Sequence, residues 1–324
     1  MEQLIYRHYG WMPENCTRMN AGVGGAVYLV ESVGEKYILK LCRMDDYVVN
    51  EPDVAAHLRR EGIPAPEYLP TLSSEYFWKH EGNACLLRRF VAGEVFEYNC
   101  APAWFLPESA RLLGRLHASL SGFRRLSVGM GQGFLDYMAS GKPAESYRRT
   151  LEQARERADA EAEQSITYRL SQANRLQALR FDLARFTCAN THGDYKITNI
   201  VCADGHITSL IDLSGACVLP AVWEVIRSYT YADPACHAGQ IGMDTLLSYV
   251  REYLRHFPLN EYDLGMMPYF YWHQLLACDY YGQYYDAEGP NRDDFLRQAQ
   301  LATGLIRWFE LHAEELATEL VKLA

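Results

Sequence analysis

The chain has 324 residues, 49% hydrophobic and 22% charged, with a net charge of −10. This composition excludes collagen-like, low-complexity and small disulfide-scaffold proteins, and the length allows one large domain or two lobes. Residues 1–189 hold 23 acids and 23 bases, whereas residues 190–324 hold 18 acids and 8 bases, so the whole excess lies in the second part. Such a field repels nucleic acid and anionic membranes, so neither is an expected partner, and it favours a cationic small molecule.

The nine cysteines are odd in number and scattered, with no Cys-x-x-Cys pair. That argues against a disulfide framework or zinc cluster and predicts a reducing, cytoplasmic location. The first residues show no signal-peptide pattern, and no stretch approaches the ~20 apolar residues of a membrane span.

In chain order, AVYLVE (26–31) and KYILKL (36–41) predict two strands joined by a turn at Val33-Gly34. That turn pairs position i with 67 − i and sets Lys40 opposite Val27. A helix over about 52–61 follows, with Pro52 tolerated in its first turn. Residues 84–93 predict a strand ending at Gly93. Leu112, Leu113, Leu116 and Leu120 recur at helical spacing within 104–120. Helical periodicity continues over 144–186, a strand–turn–strand lies at 197–212, and 221–324 is helical and rich in aromatic residues. The sketch is α+β, with a small β-rich N-terminal lobe at 1–91 and a large helical lobe at 92–324.

Chemistry concentrates in HGDYKITN, residues 192–199. Asp194 and Asn199 lie five apart in a polar segment, and Asp212 ends an apolar run thirteen residues later. Asp204-Gly205 is a hairpin-turn signal. Pairing i with 409 − i sets Asn199 opposite Leu210 and leaves Asp212 at the same open end. Three oxygen-bearing side chains there suit Mg²⁺ held partly by phosphate oxygens, with one carboxylate left to take a proton. Upstream, Gly22, Gly24 and Gly25 precede the first strand, where glycine lets backbone N–H groups approach phosphates. Lys40, inside an apolar strand, is either an edge lysine reaching solvent or the cation that holds those phosphates.

Glycine turn, strand lysine, His-Gly-Asp-x4-Asn and a later aspartate resemble the protein-kinase-like small-molecule kinases, the aminoglycoside phosphotransferase, choline kinase and homoserine kinase superfamily. The resemblance spans about residues 15–285. It implies a two-lobe kinase fold and an ATP- and Mg²⁺-dependent phosphotransferase acting on a hydroxyl of a small polar acceptor. Asp194 would be the catalytic base, Asn199 and Asp212 the metal ligands, Lys40 the phosphate lysine and His192 a structural prop. Residues 86–93, including Arg89 and Val91, would form the hinge that meets adenine through the backbone. Glu51 would pair with Lys40, with Asp53 as the other candidate. Lys196, two residues after Asp194, would neutralise the transferred phosphoryl group. Glu224 stands where many members carry a shorter aspartate.

A nucleotide-binding pseudokinase of the same fold is the alternative, opposed by the intact Lys40, Asp194, Asn199 and Asp212. For the acceptor, residues 262–285 hold seven tyrosines beside Trp272. Asp279, Trp272 and Tyr280 are the candidate acceptor residues, and the acidic second part inclines the expectation toward an amine-bearing acceptor.

Overall fold

The structure, a computed structural model, describes residues 1–19, 25–43, 48–176, 179–288 and 291–324. Along the chain run α1 (Glu2–Tyr9), β1 (Asn15–Met19), β2 (Gly25–Ser32), β3 (Glu35–Arg43), α2 (Glu51–Arg60), β4 (Trp78–His80) and β5 (Asn83–Arg89). Then come α3 (Phe105–Leu120), α4 (Gln132–Ala139), α5 (Lys142–Glu156), α6 (Ala160–Leu176), β6 (Cys188–Thr191), β7 (Ile200–Ala203), β8 (His206–Leu210) and β9 (Cys217–Pro220). The remainder is α7 (Ala221–Ala232), α8 (Met243–Leu254), α9 (Glu261–Ala277), α10 (Tyr280–Asp286) and α11 (Asn291–Val321). The chain is α+β. It forms two compact units, the first made of Met1–Phe96, Arg115–Ser127 and Asn190–Val218, the second of Glu97–Gly114, Val128–Ala189 and Leu219–Ala324. The segment 190–218 therefore groups with the β-rich unit, a different partition from a single break at residue 91.

In the first unit an antiparallel sheet has the order β1-β2-β3-β5-β4. The β2–β3 register is the expected one, Val27 opposite Lys40. Strand side chains alternate between faces. Leu39 and Leu41 of β3 join Val30, Leu87 and Trp78 in a core completed by Ile5 and Tyr9 of α1. Lys40 consequently projects from the opposite face. It lies on the central strand, between Val27 of β2 and Leu86 of β5, so it is not an edge lysine. The strand predicted over 84–93 stops at Arg89 because Gly93, at φ +144°, turns the backbone against β7. A Cβ on Gly93 would lie 2.5 Å from the Cys202 carbonyl. Glu94 and Cys202 then exchange two backbone hydrogen bonds of 2.8 Å.

The β7–β8 hairpin departs from its expected register. Ala203 pairs with His206 and Cys202 with Ile207, as a 409 sum requires, but a bulge between Val201 and Cys202 moves the outer pairs to Val201–Ser209 and Ile200–Leu210. Thr208 is the extra residue, and its hydroxyl donates to the Val201 carbonyl at 3.1 Å. Asn199 therefore meets Ile211, whose N–H donates to its carbonyl at 2.9 Å. A bulge is invisible to a turn-centred count.

In the second unit the helical stretch 144–186 resolves into α5 and α6, broken at Ala158 (φ +53°) and restarted where Asp159 accepts from the Ala162 N–H. Arg169 of α6 is fully buried. It donates to the carbonyls of Leu275 at 2.9 Å and Cys278 at 2.7 Å, and to the Tyr147 hydroxyl at 2.8 Å. A cation thereby caps the carbonyl end of α9, where the helix dipole favours positive charge. Arg169→Met should destabilise the protein by about 3 kcal/mol or more, because it strands buried carbonyls. Tyr147→Phe should cost about 1 kcal/mol. Urea unfolding of both variants would check the order, and an Arg169→Met cost no greater than that of Tyr147→Phe would contradict this account.

Candidate active site

Lys40 comes from β3, Glu51 from the first residue of α2, and Asp212 and Ser214 from the turn after β8. The Lys40 Nζ donates to Asp212 Oδ1 at 2.5 Å, to Ser214 Oγ at 3.0 Å and to Glu51 Oε2 at 3.3 Å. Glu51 is fully buried, and its other oxygen accepts from the Leu213 N–H at 3.0 Å. The buried carboxylate thus ties the lysine strand to the Asp212 turn. Asp53 faces elsewhere, accepting from Arg124 at 3.0 Å. Ser214, which sequence reasoning missed, donates to Asp212 Oδ1 at 2.8 Å. Its only sequence signal is its place two residues after Asp212.

Burial opposes the Lys40 charge, but Glu51 and Asp212 outweigh it and hold the ammonium above the ordinary lysine value. Burial likewise would raise the Asp212 carboxyl, yet Lys40 and the Ser214 hydroxyl hold it down at about 2. Asp212 itself sits in the left-handed region at φ +61°, a conformation unusual for a residue other than glycine.

A second cluster forms on Asp194. Its Oδ2 lies 2.8 Å from the Lys196 Nζ and accepts from Asn199 Nδ2 at 3.0 Å. The same Asn199 nitrogen donates to the Asp194 carbonyl at 2.9 Å. With its amide nitrogen so engaged, Asn199 offers a ligand the Oδ1 oxygen. His192 is buried. Its Nδ1 accepts from the Asp194 N–H at 3.3 Å, so its Nε2 is the donor to the Ile211 carbonyl at 3.1 Å. Both ring nitrogens hold backbone, as a structural prop requires. Asn190 adds a third anchor that the sequence did not disclose: buried, it bonds the Leu126 N–H and the carbonyls of Leu120 and Arg124.

The two clusters meet through glycine. A Cβ on Gly193 (φ +79°) would lie 1.7 Å from the Gly215 carbonyl oxygen. Glycine at 193 permits this approach of the Asp194 and Asp212 segments, whereas a Cβ on Gly215 would meet nothing closer than 3.5 Å.

The other expected residues fall as follows. Gly22 and Gly24 lie outside the described residues. Gly25 opens β2 so close to β3 that a Cβ would sit 1.9 Å from the Leu41 carbonyl, a packing requirement of the sheet. Arg89 belongs to β5; its N–H donates to Glu67, and its exposed side chain bonds Glu67 and Glu35. It is therefore not a hinge residue with an open backbone N–H. Val91 lines a groove with Pro64, Ala65 and Ser209. In the second unit, Asp279 is the N-cap of α10. One oxygen accepts from the Gly282 N–H at 2.9 Å, and the other from Ser146 at 2.7 Å and Thr150 at 2.6 Å. Its partner is thus internal. Trp272 is buried in α9, and burial raises the Tyr280 hydroxyl well above the ordinary tyrosine value.

A strand lysine braced by a buried glutamate, with an Asp-Asn loop and a second aspartate on a hairpin, defines a protein-kinase-like phosphotransferase. The family model described as "phosphotransferase enzyme family" matches residues 15–257. The chain belongs to that family, and by class it is a small-molecule kinase acting on hydroxyl groups. No curated protein matches it. Among solved structures, spectinomycin phosphotransferase in complex with ADP and spectinomycin is 14% identical with a TM-score of 0.62, covering 100% of this chain and 98% of that one. An aminoglycoside phosphotransferase from Alicyclobacillus acidocaldarius is 15% identical with a TM-score of 0.66, covering 98% and 97%. Choline kinase from Cryptosporidium parvum is 12% identical with a TM-score of 0.59, covering 93% and 90%. These similarities establish the two-lobe protein-kinase-like fold.

Two outcomes follow. Gly193→Ala should cost about 3 kcal/mol or more, by clash and positive φ together, whereas Gly205→Ala, at the same φ with open space around it, should cost about 1 kcal/mol. Thermal melts of both compare them, and equal losses would deny the glycine contact its role. The second concerns acid. The folded Asp212 value lies below the unfolded one of about 3.9, so its stabilisation is present above pH ~4 and is lost as pH falls toward 2. The difference in urea midpoint between wild type and Asp212→Asn should shrink from pH 5 to pH 2.5. A pH-independent difference would contradict the pairing.

Proposed function

We propose that the chain transfers the γ-phosphate of ATP to a hydroxyl of a small polar acceptor, with Asp194 as base and Asn199 and Asp212 as the magnesium ligands. The observation that carries this is the joining of the Lys40–Glu51–Asp212 and Asp194–Lys196–Asn199 clusters through Gly193 and Gly215. The donor set fits the metal. One carboxylate and one amide oxygen suit Mg²⁺, which keeps ligand phosphates and waters in its shell. Among the described residues no group of three or more His, Cys, Asp or Glu could cage a metal alone. ADP and an ATP analogue accompany neighbours of this fold, which supports nucleotide binding here.

Asn199 and Asp212 would hold magnesium, which would supply positive charge against that developing on the phosphates. Lys40 would hold the phosphates, kept charged and aimed by Glu51. Asp194 would orient the acceptor hydroxyl and take its proton as the oxygen attacks phosphorus and the bond to ADP breaks. Lys196, already 2.8 Å from Asp194, would stabilise the transferred phosphoryl group. Catalysis is then positioning and charge neutralisation. Spectinomycin, aminopropanol and choline, named with neighbours, illustrate hydroxyl-bearing acceptors of this size. The amine-bearing expectation rested partly on Asp279, and its capping role removes that support. All nine cysteines are free thiols, which supports a cytoplasmic location; no helix among the described residues is long and apolar enough to cross a membrane.

Asp194→Ala should abolish acceptor-dependent ADP release while ATP still raises Tm. Asp212→Ala should weaken Mg·ATP binding itself. Lys196→Ala should lower kcat about 100-fold or more with little change in the KM for ATP. Steady-state kinetics with melting curves separate these, and wild-type turnover in Asp194→Ala and Asp212→Ala would refute the assignments.

A further inference from the structure

One buried hydroxyl of the first unit takes no part in the mechanism above. Tyr68 lies on the stretch between α2 and β4, where it pairs with Arg88 of β5. Backbone bonds on either side hold it there. The Leu69 N–H donates to the Leu87 carbonyl at 2.9 Å, and the Arg89 N–H to the Glu67 carbonyl at 2.8 Å. Residues directly opposite in an antiparallel pair share a face, as do positions two apart along a strand. Arg88 pairs with Ile38 and Leu86 with Lys40. Tyr68 therefore stands on the Lys40 face of the sheet, away from the core that holds Leu39 and Leu87.

Tyr68 is 7% exposed. Its hydroxyl is buried and meets no acceptor at full hydrogen-bonding geometry among the described residues. Burial raises the phenol well above the ordinary tyrosine value, and Glu51 is the charge that acts on it most, ahead of Arg88. The group thus stays protonated beside a buried carboxylate. A phenylalanine would supply the same ring without burying a hydroxyl, which is unfavourable unless the hydroxyl is bonded.

Lys40 supplies a reason for the hydroxyl. An ammonium has three N–H donors, and those of Lys40 meet Asp212, Ser214 and Glu51. Taking up phosphate oxygens means releasing at least one of these partners. The longest of the three bonds, at 3.3 Å, is the one to Glu51. Its loss would leave the buried carboxylate with the Leu213 N–H and one oxygen in need of a donor. A phenol can meet that need without adding charge.

We propose that Tyr68 is a positioning residue for nucleotide binding: its hydroxyl bonds the Glu51 carboxylate when Lys40 turns to the phosphates, so that the buried charge stays paired and Glu51 stays in place. This rests on the kinase reading above. Tyr68 acts through Glu51 and not by contact with the nucleotide.

The test uses the full chain with Mg²⁺ and AMP-PNP, a non-hydrolysable ATP analogue, and needs no acceptor. Titration calorimetry gives Kd, and thermal melts give Tm without nucleotide. Tyr68→Phe should leave the unliganded Tm at or above the wild-type value. It should raise Kd about tenfold or more, the loss expected for one hydrogen bond to a charged group. In a Glu51→Gln background no buried charge needs a second donor, so Tyr68→Phe should change Kd by no more than about twofold. If Glu51→Gln does not fold, the first two readouts decide alone. An unchanged Kd in Tyr68→Phe, a fall in its unliganded Tm, or an equal loss of affinity in the Glu51→Gln background would each overturn the proposal and leave the kinase reading standing. Failure of the nucleotide to bind the wild-type chain would remove both.

Discussion

Everything in the first unit turns on one buried carboxylate. Glu51 has no contact with water, and a charge so placed is tolerated only when it is fully paired. Lys40 meets one of its oxygens and the Leu213 N–H the other. Loss of either would leave a buried charge incompletely compensated, at a cost of about 3–5 kcal/mol for the ionic partner. The sheet, the second helix and the Asp212 turn are therefore locked by the same few atoms that would receive the nucleotide. Fold stability and site geometry share one origin.

The Asp194 loop relies on many smaller contacts. It buries Tyr195 and Ile197 and is also held by directed bonds to backbone. His192 uses both ring nitrogens, Asn190 three bonds, and Asn199 two from a single nitrogen. Each anchor is short and polar, which suits a segment that must present a carboxylate without letting it drift. Gly193, packed against the Gly215 carbonyl, sets how near that segment lies to the Asp212 turn. Polar bonds to backbone, added to the burial of Tyr195 and Ile197, fix the Asp194 carboxylate.

How much of this could be read from residues alone depended on range. The Val33-Gly34 turn set the β2–β3 register correctly because a tight two-residue turn leaves no freedom. The same logic misplaced Asn199 by one residue, since a turn-centred count does not see the bulge at Thr208. Glu51 was legible from its spacing to Lys40 within the family pattern, although Pro52 follows it. Ser214 and Asn190 were not, because a serine or asparagine means little until its partner is known. Asp279 misled for a related reason. An acid amid aromatics requires a partner, and here the partner is the start of its own helix with two hydroxyls of α5.

On the proposed reading, the Lys40–Asp212 contact would make nucleotide entry an exchange of partners and not a simple filling of space. Whatever attraction the pair holds must be traded for new contacts, so the resting site carries a small built-in resistance to occupancy. In population terms, the state ready for ligand is a fraction of the whole, and the observed affinity is the intrinsic one scaled by that fraction. Ser214, bonded to both members of the pair, stays beside each when they separate. It could keep the rearrangement local, so that charge is redistributed over a few ångströms of side chain while β3 and the Asp212 turn remain where they are.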